Sequence, residues 1–492
     1  MQTPLSDASS VTAEDEEFRS YFADATKECE AFRILLIGKT GSGKSTLVTE
    51  VFDFELEAQD CQVNDYEVGE HDINHPILSS NNQSLILHDS KGLEAGSDAN
   101  LKLVTNFIHD RKGRPFAEQL HAIWYCVEIP ISGERVLEGG DIALLESLLS
   151  MKNTVPLIVV FTKLDRLHLH EQLRLKKAYV KGGMDSKAAT AKAKAECVAT
   201  SEIRFTTSCV EVLQSQRIPR AWSNYCAVSN KQPQTIVKLV ELTKSMLTDS
   251  ETLNILWAQA QMIDVDLKVS LSLRAGKNLY RLGIFTSMVP MKTVRKISML
   301  KVLSGIHSDV VHIWNLNDPE EILIGANMRT MVRQLFIDPA IFPVLDGSPG
   351  PDNNPSRIIE TIVGAALNPI TMVGPVITGA LGYLDDIVET TPAAARVLMA
   401  YIADLTLGME SLHWVIRQKK DKVVTDEDII KAFTRYRISE NRNQVHKKIR
   451  DFIGDENISR PFKREKVLER VKDIVAKCRL NPKEMFKDRQ AK

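Results

Sequence analysis

An eight-residue segment rich in glycine carries the clearest chemistry in the chain. Residues 38–45 read Gly-Lys-Thr-Gly-Ser-Gly-Lys-Ser, which is the spacing of a phosphate-binding loop. The apolar segment 32–37 before it predicts a buried strand, and the segment 45–51 after it predicts a helix. The N–H groups of such a loop point at phosphate oxygens, and the helix N-terminus adds the positive end of its dipole. We therefore expect Lys44 to reach the β- and γ-phosphates and the Ser45 hydroxyl to bind Mg²⁺.

A second motif, Asp89-Ser90-Lys91-Gly92, follows another apolar strand pattern and has the form Asp-x-x-Gly. At the end of a strand this pattern favours a carboxylate that holds Mg²⁺ through water, and we assign that role to Asp89. The N–H of Gly92 would then sense the γ-phosphate. Such a tetrapeptide is common by chance, so its position after a strand supports the assignment more than its residues do.

A third motif, Thr162-Lys163-Leu164-Asp165, also follows directly on an apolar strand pattern. Guanine presents two adjacent hydrogen-bond donors that one carboxylate accepts together, whereas adenine offers no such pair. We expect Asp165 to accept both donors and the stem of Lys163 to lie along the base. The motif therefore predicts guanine rather than adenine.

The three motifs together resemble those of the P-loop GTPases of the TRAFAC class, over about residues 30–248. Within that class the chain looks most similar to the Era/septin-like branch, including fungal members with a helical C-terminal half. The resemblance implies GTP or GDP and Mg²⁺ as ligands. It also implies a fourth motif at Ser229-Asn230, with the Asn230 N–H toward guanine O6. The nucleotide-binding candidates are Gly38, Lys39, Thr40, Gly41, Ser42, Gly43, Lys44, Ser45, Thr46, Gly92, Thr162, Lys163, Asp165, Ser229 and Asn230. The metal-binding candidates are Ser45 and Asp89.

The switch segments depart from the pattern of the family that the chain resembles. Residues 54–82 contain no threonine to meet Mg²⁺ and the γ-phosphate. His71 or Asp72 is the candidate substitute, and a solvated loop is the alternative. Leu93 follows the Asp-x-x-Gly motif where Ras-like proteins place a water-orienting glutamine, and Glu94 lies beside it. Binding is therefore better supported than hydrolysis, which we expect to be slow.

One arginine is a candidate for a role in catalysis. Arg135 lies just past the apolar strand pattern 122–129, near enough to the strand ends to approach the nucleotide or a second subunit. An arginine there would offset the charge of the transition state, and a surface-loop arginine is the alternative interpretation. The catalytic residue stays unassigned, with Arg135, His71 and Glu94 as the candidates.

Composition sets the broad class of protein. The 492 residues correspond to two or three domains, and 43% hydrophobic and 26% charged residues are globular values. A net charge of −2 gives no general basic surface, so we expect no nucleic-acid partner. Seven scattered cysteines without a Cys-x-x-Cys pair favour a reducing, cytoplasmic location over a disulfide framework or a zinc site. Residues 1–28 are predicted to be a disordered segment with no signal peptide.

Alternating strand and helix patterns predict an α/β P-loop NTPase G domain over residues 29–250, with a mostly parallel sheet and helices on both faces. Ligands bind such sheets at the carboxyl ends of the strands, where all four motifs fall. The elements expected after the phosphate-binding loop are strands at 74–78, 85–88, 122–129 and 155–161 and helices at 99–112 and 141–149.

The chain between the third and fourth motifs is longer than a minimal G domain needs. We predict a basic helical insertion at about residues 167–222. Residues 171–195 carry a net charge of +5, and Gly182-Gly183 should divide the run into two helices. A solvated face is the first interpretation, and contact with a partner or an anionic membrane is the alternative.

Residues 251–492 are predicted to form an all-helical domain. The stretch 361–384 carries no charge, and its prolines favour a buried helical hairpin, with a membrane segment as the alternative. Residues 425–428 have the form of a helix capping box. The amphipathic helices that follow are expected to pack on the core or to bind a protein effector. Asp404 and Asp385-Asp386 are expected at polar helix edges or caps.

The sequence thus favours a guanine-nucleotide-binding protein, a GTPase switch whose nucleotide state is read by the helical domain. A homodimer and a membrane contact through residues 361–384 are open alternatives to a monomeric cytoplasmic protein. Other functions that the residues allow are a scaffold that binds GTP or GDP with little hydrolysis and a membrane-remodelling GTPase. An ATP-dependent kinase conflicts with the motif at 162–165.

Overall fold

The chain forms two compact units in the computed structural model. The residues that the structure describes are 20–53, 73–79, 81–90, 98–131, 135–150, 155–215, 223–247, 250–325, 328–329, 331–332, 391–454 and 463–479. One unit, the sheet unit, is Thr26–Asp264, and the other, the helical unit, combines Met1–Ala25 with Val265–Lys492. The described residues therefore comprise an α/β unit and a unit built from helices.

The first described helix is the short α1 (Tyr21–Thr26), most of which belongs to the helical unit. Strands then alternate with helices along the sheet unit. The strands are β1 (Phe32–Gly38), β2 (Leu85–Asp89), β3 (Ala122–Glu128), β4 (Leu157–Thr162) and β5 (Tyr225–Ala227). The helices are α2 (Lys44–Phe52), α3 (Asp98–Lys112), α4 (Gly139–Ser150), α5 (Leu164–Lys181), α6 (Ser186–Phe205), α7 (Glu211–Ser215), α8 (Pro233–Met246) and α9 (Glu251–Ala260).

The described strands form one parallel sheet in the order β2-β1-β3-β4-β5. Phe32 of β1 is paired with Leu85 of β2, and Ile34 of β1 is paired with Ala122 of β3. Strands β1 and β4 are buried along their whole lengths. Such continuous apolar strands are what a parallel sheet covered on both faces requires, because neither face meets water. The α/β architecture predicted from the alternation is therefore confirmed.

The prediction of a strand at residues 74–78 is wrong. Of these residues only Ile77 pairs with a strand, through an isolated antiparallel bridge to Leu87. Residues 73–75 turn instead, and Pro76 has no N–H to donate to a ladder. The other expected strands and helices of this unit are present, with ends that lie within about two residues of the expected positions.

Helix α9 belongs to the sheet unit, although the sequence analysis placed residues 251 onward in the helical domain. Its Trp257 is fully buried, with ring centroids 5.0 Å from Phe32 and 5.8 Å from Phe52. The amide of Asn82 donates to the carbonyls of Phe52 and Ala260, at 2.9 and 2.8 Å. Aromatic packing and these two bonds hold α9 on the sheet unit.

The basic insertion forms the two helices that the glycine pair predicted. Helix α5 ends at Lys181, and Gly183 adopts a φ of 90°, which favours glycine. Asp185 then caps α6, because its carboxylate accepts from the N–H groups of Lys187 and Ala188 at 2.9 and 3.2 Å.

The helical unit is organised around one long buried helix. Its helices after α1 are α10 (Val265–Thr286), α11 (Lys292–Trp314), α12 (Thr391–Ile416), α13 (Asp426–Arg437), α14 (Glu440–Phe452) and α15 (Arg464–Cys478). Nearly every side chain of α12 is buried. Gly408 lets α13 approach closely, since a Cβ there would lie 2.3 Å from the ring of Phe433. The capping box predicted at Thr425 and Asp428 is confirmed at the start of α13.

Asp404 lies in the buried middle of α12, so its expected place at a helix edge or cap is wrong. Its carboxylate accepts a hydrogen bond from the Tyr436 hydroxyl at 2.7 Å and lies 2.8 Å from Nε2 of His446. All three side chains are fully buried. Burial of a carboxylate is costly without such partners, and they come from helices distant in sequence.

The sequence predicts a disordered segment at residues 1–28. For residues 20–26 this prediction is wrong, because residues 21–26 form helix α1. The N–H of Tyr21 donates to Oδ2 of Asp309 at 3.1 Å, and the Ser20 hydroxyl donates to the same carboxylate. The burial of Asp309 raises its pKa to about 6. A helix too short to be stable alone is thus anchored by a side chain far along the sequence.

The segments 361–384 and 385–386 lie outside the described residues. Within the described part of the chain, no helix combines the length and the hydropathy that crossing a membrane requires.

Candidate functional site

The carboxyl ends of the parallel strands bring the sequence motifs to one edge of the sheet. Strands β1, β2 and β4 end at Gly38, Asp89 and Thr162. In the order β2-β1-β3-β4-β5, the connection after β1 leads to β2 on one side of β1. The next connection crosses from β2 to β3 on the other side of β1, so the strand order reverses there. Ligands of such open sheets bind outside the strand ends at this switch point. The phosphate-binding-loop motif leaves the sheet there.

The glycines of the 38–45 loop have conformations and surroundings that other residues would not tolerate. Gly38 has a φ of 151°, and a Cβ there would lie 2.4 Å from the carbonyl oxygen of Cys126. Gly41 and Gly43 have φ values of 76° and 90°, in the left-handed region. The loop therefore lies directly against β3, and α2 begins straight after Gly43.

Lys44 is folded back into the loop. Its side chain is 9% exposed, and Nζ donates to the carbonyls of Gly38 and Lys39 at 2.8 and 3.3 Å. The same Nζ lies 3.8 Å from Oδ1 of Asp89. The first and second motifs are thus close together, although the sequence predicted only their separate roles toward phosphate and Mg²⁺.

The first turn of α2 presents polar groups to solvent. Ser45 and Thr46 are exposed there, and Gly43 at the N-cap has no side chain to satisfy the first N–H groups of the helix. A helix N-terminus of this kind favours an anion. The lysine ammonium, the loop N–H groups and the Ser45 hydroxyl together suit a phosphate with a divalent cation.

The third motif is tied to the first by a hydrogen bond. Oγ1 of Thr162 donates to the carbonyl of Ser42 at 2.6 Å, and both residues are buried. Lys163 follows in the left-handed region, with a φ of 62°, and its Nζ lies 2.6 Å from Oε2 of Glu128. The strained backbone of a non-glycine residue is maintained because its side chain is anchored.

The third and fourth motifs also meet. Oγ of Ser229 donates to Oδ1 of Asp165 at 2.7 Å, and the N–H of Ser229 donates to Oγ1 of Thr235 at 2.9 Å. Asp165 is half-buried in the first turn of α5, and Asn230 is exposed in the turn after β5. A carboxylate oriented by a serine at a strand end is a suitable acceptor for a planar base.

A cleft of about 720 Å³ opens beside the loop, between the end of β3 and the start of α4. Its lining includes Lys39, Thr40, Tyr125, Arg135 and Asp141. Arg135 is exposed, so its guanidinium has access to the cleft from the solvent side. Arg135 therefore shares a cavity with the first residues of the 38–45 loop.

Charged groups fix one wall of this cleft. Nζ of Lys39 lies 2.5 Å from Oε1 of Glu138 and 3.9 Å from Oδ2 of Asp141. The Tyr125 hydroxyl donates to Oδ1 of Asp141 at 2.5 Å. Burial, together with the Asp141 charge, raises the pKa of Tyr125 well above its ordinary value, so the phenol keeps its proton. The wall is therefore a connected network of hydrogen bonds and ion pairs.

The described residues near the loop offer no thiolate and no preformed metal cage. Burial raises the pKa of Cys126 to about 12, so its thiol stays protonated. Among the described residues, no three His, Cys, Asp or Glu side chains are grouped as metal ligands. Ser45 and Asp89 fit Mg²⁺ only with further oxygens, since Mg²⁺ requires six ligands and takes several from substrate phosphates and water.

Three carboxylates that hold the site together were not predicted from the sequence. Glu128, Glu138 and Asp141 anchor Lys163 and Lys39, and nothing in their spacing distinguishes them from ordinary surface carboxylates. Glu128 does end an apolar strand, which was a usable signal. Four predicted candidates, Gly92, His71, Asp72 and Glu94, lie outside the described residues.

One family model matches part of the helical unit. A domain of unknown function, DUF8505, matches residues 322–488, a region that includes α12 to α15. No curated protein is significantly similar to the chain. The matched family covers about a third of the chain and does not include the sheet unit.

Proposed function

We propose that the protein binds guanine nucleotides through a G domain of the P-loop NTPase type, similar to the Era/septin-like GTPases. The observation that carries the proposal is the joining of the four motifs at one sheet edge. Lys44 lies 3.8 Å from Asp89, Thr162 bonds to Ser42, and Ser229 bonds to Asp165. Motifs that arose by chance along 492 residues would have no reason to meet in this order.

In this proposal each motif has a separate task. The loop N–H groups and Lys44 bind the phosphates, with Nζ moving from the Gly38 and Lys39 carbonyls to phosphate oxygens. Ser45 and Asp89 hold a magnesium ion, which when bound neutralises phosphate charge. Asp165, oriented by Ser229, accepts the two donors of guanine.

We propose further that the protein is a GTPase switch with a slow intrinsic rate, and that the helical unit reads its nucleotide state. Arg135 is the candidate in the described residues for stabilising the transition state, since it lines the cleft beside Lys39 and Thr40. The second candidate function is a GTP- or GDP-binding scaffold with little hydrolysis. The observation that favours it is Leu93, which has no group to orient a water molecule.

A competition experiment tests the binding proposal. Purified full-length protein is titrated with a fluorescent GDP analogue, and the bound analogue is then displaced with GTP, GDP or ATP in the presence of Mg²⁺. We expect GTP and GDP to displace the analogue at far lower concentrations than ATP, because a site built for paired donors rejects a base that lacks them. Equal displacement by ATP would refute the guanine assignment. Phosphate release, measured on the same preparation, then separates the switch from the scaffold.

A further inference from the structure

An apolar tip projects from the hairpin formed by α10 and α11. We define the tip by five large hydrophobic side chains at the end of α10, in the turn and in the first two turns of α11. The tip consists of Phe285, Met288, Met291, Val294 and Ile297, each between 40% and 65% exposed. Large apolar side chains grouped in this way are unusual on a surface that meets only water.

Buried side chains lie between and beside the exposed ones at the hairpin end. Ile284, Ser287 and Met299 alternate with the tip residues along the chain, and all three are at most 3% exposed. Ile284 and Met299 belong to the core that α10 and α11 share with α12. The hairpin end is therefore anchored in the helical unit through one set of side chains, while a second set faces outward.

The sequence around the tip is entirely without acidic residues. Between Asp266 and Asp309 the chain contains no aspartate or glutamate, and it contains eight lysines and arginines. Five of the eight lie in the part of the hairpin nearest the tip: Arg281, Lys292, Arg295, Lys296 and Lys301. Net charge over the whole chain is −2, so the positive charge is a local property of this hairpin.

One cation is positioned directly against the tip. The guanidinium of Arg281 lies 5.4 Å from the ring centroid of Phe285, in a cation–π arrangement. Both side chains are exposed. Helix α10 thus places the positive charge of Arg281 next to Phe285 of the tip.

We propose that this tip docks on a membrane surface that contains anionic lipids. Apolar side chains at the end of a hairpin would enter the boundary between headgroups and acyl chains, while Arg281 and the net positive charge of the hairpin sequence favour anionic headgroups. The combination of exposed methionine and phenylalanine with a hairpin sequence that contains lysines and arginines but no acidic residue fits a negatively charged interface. The proposal is independent of nucleotide binding.

The test is a flotation assay with the full-length protein. Vesicles of phosphatidylcholine with phosphatidylserine are compared with vesicles of phosphatidylcholine alone, at low and at high salt. We expect flotation with the anionic vesicles at low salt, little with the neutral ones, and a decrease as salt rises. Absence of flotation with anionic vesicles at low salt, or equal flotation with both kinds, would overturn the proposal.

Three variants locate the contact. Met288→Ser with Met291→Ser should weaken vesicle binding about tenfold or more, since two methionines lose their apolar contact. Arg281→Ala should weaken it about fivefold. Ile438→Ser, which alters a residue that is 70% exposed elsewhere in the same unit, should leave binding unchanged. Because the substituted residues are exposed, thermal unfolding should be the same in all three.

Two further outcomes would also overturn the proposal. Vesicle binding that the methionine and arginine variants leave intact would place the lipid contact in another part of the chain. A change from dimer to monomer in the methionine variant, measured by sedimentation velocity without lipid, would identify a second copy of the chain as the occupant of the tip.

Discussion

The hydroxyl of Thr162 donates a 2.6 Å hydrogen bond to the main-chain carbonyl of Ser42. This bond joins the end of β4 to the loop after β1, across the intervening strand β3. The same hydroxyl lies 3.4 Å from the carbonyl of Val127 in β3. One side chain therefore fixes the 38–45 loop relative to the third motif, and in the proposed function these two segments hold the phosphates and the base.

Thr162→Val removes this bond while keeping the shape of the side chain. We expect a loss of about 1–3 kcal/mol in the free energy of unfolding, because the buried Ser42 carbonyl loses a partner. Nucleotide affinity should fall as well, since the loop is no longer fixed relative to the base site. Urea unfolding and nucleotide titration measure the two effects. Thr162→Ser, which retains the hydroxyl, is the matched control, and a valine variant as stable as the parent would contradict the proposed coupling.

Lys44→Ala should weaken the binding of both GTP and GDP, because it removes the buried ammonium that faces the loop. Ser45→Asn should weaken GTP binding more than GDP binding, since the serine hydroxyl would help to hold a Mg²⁺ ion that neutralises phosphate charge. Isothermal titration with each nucleotide in the presence of Mg²⁺ checks both. Thr49→Ala alters an exposed hydroxyl later in α2 and serves as the control. Unchanged affinity in Lys44→Ala would show that the loop is not the site.

Asp165→Asn should shift the preference of the site from guanine toward xanthine nucleotides. The carboxylate that accepts two donors becomes an amide with one donor and one acceptor, and xanthine presents the complementary pair. Competition with GTP and XTP measures the change. Asp185→Asn, which alters a helix-capping carboxylate in the insertion, is the control and should leave GTP preferred. Retention of guanine preference in Asp165→Asn would remove the third motif from the site.

The stability of the sheet unit should fall as the pH is lowered from 6.5 to 4. Burial lowers the pKa values of His88 and His121 to about 4. Nε2 of His88 lies 2.9 Å from Nη1 of Arg33, and the main-chain N–H of Arg33 donates to Nδ1 of His121, also at 2.9 Å. Between these pKa values and the ordinary 6.5 the unfolded chain binds more protons than the folded chain, so the free energy of unfolding decreases as the pH falls. Each histidine accounts for about 3 kcal/mol over the whole window.

Urea unfolding at a series of pH values checks this dependence. His88→Gln should reduce the slope of stability against pH, whatever its effect on stability at neutral pH. His109→Gln changes an exposed histidine on α3 and is the matched control. A slope that His88→Gln leaves unaltered would mean that this histidine does not stay neutral in the folded protein.

The sheet could be predicted from the sequence because its strands are buried on both faces and read as continuous apolar runs. The motifs then had to meet, since the carboxyl ends of parallel strands share one edge. The contacts that orient the motifs, such as Glu128 with Lys163, could not be predicted, because long charged side chains find partners through tertiary structure. The same limit explains Asp404, whose partners Tyr436 and His446 lie on two other helices.

Arg135 should raise the rate of GTP hydrolysis across a pair of chains. With no glutamine at Leu93, the protein alone should be no faster than Ras-like proteins, which turn over at about 10⁻⁴ to 10⁻³ s⁻¹ unaided. An arginine supplied from a partner adds about 10³ to 10⁵ in rate. Arg135 is exposed at the edge of the cleft beside Thr40, so its guanidinium is accessible to a neighbouring chain as well as to its own.

The concentration dependence of phosphate release distinguishes an Arg135 that acts on a neighbouring chain from an Arg135 that acts within its own chain. If Arg135 acts on a second chain, the activity per molecule should rise with protein concentration, and Arg135→Ala should flatten that rise while leaving the dilute rate unchanged. If it acts within its own chain, Arg135→Ala should lower the rate equally at every concentration. Arg114→Ala, which removes an exposed arginine paired with Asp110 and Glu118, is the control for a general loss of surface charge. A dilute monomer that hydrolyses several GTP molecules per second would contradict the hypothesis, because no described side chain of this site would then account for the rate.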